Sequence, residues 1–148
     1  MTTASCSEAS AEVVARIRGQ YDDWHDPHNN GTYTLTGLGM EFDFLGGNQS
    51  FGGNLSTSRL TGDRLYEDKQ FFVLSSSGSG DACTIEACSR SQVPSRYDDG
   101  TNYCNLKMLY CGSGDGCSPV KHDFALLGAE ETERFAESTA DLERCLVV

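Results

Sequence analysis

Several things are scarce in this chain of 148 residues, and each scarcity removes a class of function. Basic residues number 11 against 22 acidic ones, a formal net charge of −11. The Lys and Arg are scattered, and phosphate binding needs them clustered, so nucleic acid and anionic membrane surfaces are poor partners. No apolar run reaches the roughly 18 residues that a membrane-spanning helix requires, so no membrane span is expected. No Cys-x-x-Cys pair occurs, which argues against thioredoxin-type redox chemistry and structural zinc. There is no P-loop, no Gly-x-Ser-x-Gly elbow, no Gly-x-Gly-x-x-Gly turn and no Asp-x-Asp-x-Asp-Gly calcium loop. No cofactor is implied.

What is present is cysteine, glycine and small polar residues. The chain has 7 Cys and 16 Gly against 3 Pro. At this length a single domain over residues 1–148 can bury a sizeable core, so the cysteines reinforce a core rather than replace one. Three glycosylation sequons stand in glycine-rich segments: Asn30-Gly31-Thr32, Asn48-Gln49-Ser50 and Asn54-Leu55-Ser56. Cysteine density and sequons together predict an oxidising compartment, secreted or lumenal. The opening MTTASCSEAS has neither a basic nor an apolar leader region, so a signal peptide is absent from this sequence.

The pattern along the chain predicts helix, strands, helix. Residues 5–24 read as a helix, with Ser5 and Glu8 at capping-box spacing and Val13, Val14, Ile17 and Tyr21 on one stripe. Pro27 ends it. From Gly31 the period becomes two, through Tyr33 and Leu35, then Met40, Phe42 and Phe44. Residues 46–54 read as a loop. Further strands are expected over 55–60 and 65–74, then in ACTIEACSRSQV, TNYCNLKMLYC and SPVKHDFALLG. A second helix is expected from Glu130 to Cys145, with a break near Ser138. The fold class is therefore α+β: a curved antiparallel sheet of about six strands packed on an N-terminal helix, with a C-terminal helix. In outline this resembles a cystatin-like grip or a lipocalin-like barrel, although the Gln-x-Val-x-Gly of the one and the Gly-x-Trp of the other are absent.

Four cysteines lie between Cys83 and Cys111. The turn-like PSRYDDG between them suggests a hairpin. In one antiparallel register Cys88 meets Cys104 and Cys83 nearly meets Cys111, so bridges Cys88–Cys104 and Cys83–Cys111 are expected. Cys145 is expected to bridge to Cys117 or Cys6, leaving one thiol over.

Two constellations offer chemistry. His25, His28 and His122 are candidate metal ligands or catalytic groups, with Asp26 or Asp123 nearby in sequence. Tyr33, Phe42, Phe44, Tyr103 and Tyr110 are candidates to line an apolar ligand cavity. The leading expectation is a non-catalytic extracytoplasmic binding module for a small apolar molecule or a protein partner. The alternative is a small lyase or hydrolase that uses His25, His28 or His122.

Overall fold

The computed structural model describes residues 1–19, 26–43, 50–76, 81–94, 100–128 and 142–146. The capping box read at Ser5 starts helix α1, Cys6–Ile17. The Ser5 hydroxyl accepts from the Glu8 amide at 3.3 Å, and Glu8 Oε2 accepts from the Ser5 amide at 3.0 Å. The helix ends earlier than expected, at Arg18, followed by Gly19 at φ 58°. Ala9, Val13 and Ile17 make its buried stripe.

Four strands follow in chain order, β1 Thr32–Asp43, β2 Ser50–Leu60, β3 Glu67–Ser75 and β4 Thr84–Ser91. They form an open antiparallel sheet of order β1-β2-β3-β4. Each joins the next by a short connection, which forces antiparallel pairing. Part of the segment expected to loop, 50–54, is strand in β2. Strand β1 carries an irregularity between Leu35 and Gly37, so that Thr36 is the extra residue. That bulge reverses the parity of the strand. It is the physical reason why the sequence alternation passes from odd positions, Tyr33 and Leu35, to even ones beyond.

Among the described residues the sheet has four strands, not about six, and two expected strands account for the difference. Residues Thr101–Tyr110 form helix α2. Cys104 and Met108 bury one side of it, while Asn105 and Leu109 bury another. A helix buried on two sides shows no single 3.6-residue stripe, and its short apolar run passes for a strand. The segment 118–128 contributes only an isolated bridge, Thr2 to Leu126. A short 3₁₀ turn, Ser113–Asp115, links α2 to it. Of the expected C-terminal helix, Leu142–Cys145 is helical and becomes α3, whereas Phe135 and the break at Ser138 lie outside the described residues.

Both α1 and α2 pack on one face of the sheet. Phe71 and Phe72 divide as adjacent strand residues must. Phe72 is wholly buried under the helices, and Phe71 is 43% exposed on the other side. The main core joins Ala9, Val13 and Ile17 of α1 to Leu55, Phe72, Leu74 and Leu109. A second cluster gathers Cys104, Met108, Cys111, Cys117 and Cys145.

Disulfides tie these pieces together, and the pairing differs from the hairpin expectation. The bonds are Cys6–Cys83, Cys104–Cys145 and Cys111–Cys117, while Cys88 is a free, exposed thiol. The expected Cys88–Cys104 and Cys83–Cys111 bridges required 101–111 to run as a strand beside β4. As a helix, that segment turns Cys104 and Cys111 toward the second cluster instead. Each helix is thus fixed covalently: α1 to the residue before β4, and α2 to α3 and to the turn after it.

Candidate functional site

The helix-covered face of the sheet is divided into rows by its register. Leu55 pairs with Phe72, and Leu74 with Ile85, giving apolar rows beneath α1. The next rows are polar. Tyr33 pairs with Arg59 and Arg59 with Asp68; Thr57 pairs with Gln70 and Gln70 with Ser89. The first turns of α2 roof these rows with Asn102 and Asn105.

Arg59 is the centre of this polar layer. Its Nε donates to Asp26 Oδ2 at 2.6 Å, and both side chains are fully buried. Its Nη2 donates to the His28 carbonyl and, at 2.7 Å, to Asn29 Oδ1. The Tyr33 ring lies 5.7 Å from the guanidinium carbon, and the Tyr33 hydroxyl reaches the Asn105 carbonyl at 3.0 Å. Asn105 Nδ2 donates to Asp68 Oδ2 at 2.7 Å. The Ser89 hydroxyl donates to Asn102 Oδ1 at 2.7 Å. Burial pushes the Asp26 carboxyl up from its ordinary value, against the pull of Arg59 and the His28 amide. Burial likewise pushes the Tyr33 hydroxyl well up, aided by the Asp26 charge. Among the described residues, Arg59 Nη1, Gln70 Oε1 and Asn105 Oδ1 are buried without a hydrogen-bond partner. Chemically this is a clamp: a cation held by a carboxylate and carbonyls, locking the 26–31 turn and α2 to the sheet.

A second buried ion pair sits beneath α1. Glu12 and Arg16 meet at 2.8 Å with no exposed surface. Arg16 donates to the carbonyls of Met108 and Cys111, both at 2.7 Å, and so closes the C-terminal end of α2. Glu12 Oε2 accepts from the His122 amide at 2.8 Å. This arrangement holds two helices and the 121–122 segment together.

The sequence candidates are distributed between these regions. His28 belongs to the Arg59 clamp through its backbone, and His122 to the Glu12–Arg16 pair through its backbone. His25 lies outside the described residues. Among the described residues no group of three His, Cys, Asp or Glu side chains is placed to hold a metal ion. Tyr33 is buried in the polar layer, Tyr110 packs against the main core and Tyr103 against the second cluster. Phe42 stands in β1 opposite Phe51, and Phe44 lies outside the described residues. Tyr33, Tyr103 and Tyr110 therefore serve two different clusters.

Sequence reasoning missed the Arg59 layer. Its signal was parity: Arg59 shares the phase of Leu55 on β2, and Asp68 and Gln70 share that of Phe72 and Leu74 on β3. A charged residue in phase with core residues marks a buried polar group that must find a partner.

The opposite face of the sheet has no helix on it among the described residues. Its exposed positions include Thr34, Asn54, Lys69, Phe71, Glu86, Cys88 and Arg90. Short side chains keep it low. Any side chain at Gly37 or Gly39 would collide with Ser56 or Asn54 on the neighbouring strand. Thr36 Oγ1 meets Ser56 Oγ at 3.1 Å across the same strands. Phe71 rises from this polar surface as its one exposed aromatic among the described residues. Among those residues, too, no helix is long and apolar enough to cross a membrane. Compared with known protein families, curated proteins and solved structures, the chain matched none.

Proposed function

We propose that this chain is a non-catalytic, extracytoplasmic binding module that holds a protein partner on the uncovered face of its sheet. The observation that carries the reading is the division of labour between the two faces. One face is consumed by α1, α2 and the two buried ion pairs, and its polar groups are turned toward one another. The other offers Phe71, 43% exposed, amid polar and charged side chains that include Asn54, Lys69, Glu86 and Arg90. Three intramolecular disulfides support an oxidising compartment.

Site-specific photo-crosslinking in the producing cells tests this. A photoreactive residue is placed at 56, 71 or 73 on the open face, and at 18 or 63 as controls. The reading expects one discrete protein adduct from the open-face positions and none from the controls. Identical adduct patterns from both groups would contradict it.

A further inference from the structure

Two strands form the edges of the open sheet, and they are not alike. Strand β1 carries the Thr36 bulge and two glycines, Gly37 and Gly39, where β2 side chains fold over it. A bulged edge resists pairing with another chain. Strand β4, TIEACSRS, carries two charges, Glu86 and Arg90, but lacks the other usual protections. It contains no Pro, no Lys and no bulge, and it pairs with β3 without interruption over eight residues. Among the described residues no strand lies outside it.

The charges along that edge are self-complementary. Glu86, Cys88 and Arg90 alternate on the uncovered face, and all three are exposed. Let a second β4 lie antiparallel beside the first, related by a two-fold axis through Cys88. Glu86 of each copy then stands opposite Arg90 of the other, making two opposite-charge pairs. Shifting the register by two residues sets Glu86 or Arg90 opposite Cys88 and breaks both pairs, and shifting it by four sets Glu86 opposite Glu86 or Arg90 opposite Arg90, so the pattern selects this alignment. Directly opposed residues have Cα atoms about 4.5–5.5 Å apart. That lies within the ~4.4–6.8 Å range of a disulfide. Cys88 is also the one free thiol among seven cysteines.

The geometry points to a homodimer formed by edge-to-edge pairing of β4 with β4 of a second copy, joined through Cys88. The step is a thiol–disulfide exchange. Two Cys88 thiols pass two protons and two electrons to one low-molecular-weight disulfide such as oxidised glutathione. One Sγ–Sγ bond forms and two small thiols leave. The product is a continuous eight-stranded sheet whose uncovered face is doubled. This inference needs no foreign partner, so it stands or falls separately from the binding reading above.

The test is the rate of covalent dimer formation by purified protein in a glutathione redox buffer, followed by non-reducing electrophoresis and intact mass. Wild type, Glu86→Arg, Arg90→Glu and the double exchange Glu86→Arg/Arg90→Glu are compared, with near-ultraviolet circular dichroism to verify folding. The wild type is expected to dimerise through Cys88 alone. Each single reversal, which places like charges opposite twice, is expected to slow dimerisation about tenfold. The double exchange is expected to recover most of the wild-type rate. Absence of a wild-type dimer, equal rates in all four proteins, or failure of the double exchange to recover would each overturn the proposal.

Discussion

Asp26 and Arg59 form the contact on which the polar layer depends. They meet at 2.6 Å with no exposed surface, so removing either leaves a buried charge alone. Arg59→Met is expected to destabilise the fold by about 3–5 kcal/mol in chemical denaturation. Asp26→Leu combined with Arg59→Met is expected to cost clearly less than the single change, because no lone charge remains. Gly31→Ala tests the same clamp from the backbone side, since a methyl there would overlap the guanidinium. It is expected to destabilise although an exposed Gly→Ala change is often neutral or favourable. Acid titration separates the carboxylates by sign. The Ser5 hydroxyl holds Glu8 down, the Thr61 hydroxyl holds Asp63 down and the Ser113 hydroxyl holds Asp123 down. Their contribution is present above the ordinary carboxylate values, 4.5 for Glu and 3.8 for Asp, and is lost as pH falls through their lowered ones. Asp26 runs the other way: burial raises it, so its contribution is present below its ordinary 3.8 and is lost as pH rises through the raised value. Asp123→Asn is therefore expected to flatten the loss of stability on acidification, and Asp26→Asn to steepen it.

Among the elements, the helices and strands differ in how openly the sequence declares them. Helix α1 was legible because a capping box and a one-sided stripe agree. Strand β1 was legible even through its bulge, since the change of parity after Leu35 is written in its apolar positions. Helix α2 was hidden, because Cys104, Asn105, Met108 and Leu109 bury it on more than one side. Reading it as a strand then misdirected the cysteine pairing, which depends on which way residues 104 and 111 point. The true bonds close loops of 77, 41 and 6 residues. In the chain-entropy account these contribute about 4.5, 4 and 2 kcal/mol respectively. Replacing Cys6 and Cys83 together by Ala is thus expected to lower the melting temperature more than replacing Cys111 and Cys117, as differential scanning calorimetry would read directly. The Arg59 layer was legible only in fragments. Asp26, Arg59, Asp68 and Asn105 are scattered over 80 positions, and only the sheet register brings them together.

For the molecule as a whole, the α+β class followed from the order of patterns, since serial strands joined by short turns can only pair antiparallel. The number of strands did not follow, because periodicity cannot tell a short buried helix from a buried strand. The two-faced design rests on α1 and α2 packing on one side of the sheet, α1 tied there by Cys6–Cys83, and leaves the other side, with Phe71 and Cys88, open among the described residues. Proteolytic mapping of the unreduced protein by mass spectrometry tests that design most directly. It is expected to yield peptides linked as Cys6–Cys83, Cys104–Cys145 and Cys111–Cys117, with Cys88 either free or joined to Cys88 of a second copy. Recovery of Cys88–Cys104 or Cys83–Cys111, or of six or more free thiols, would contradict the account.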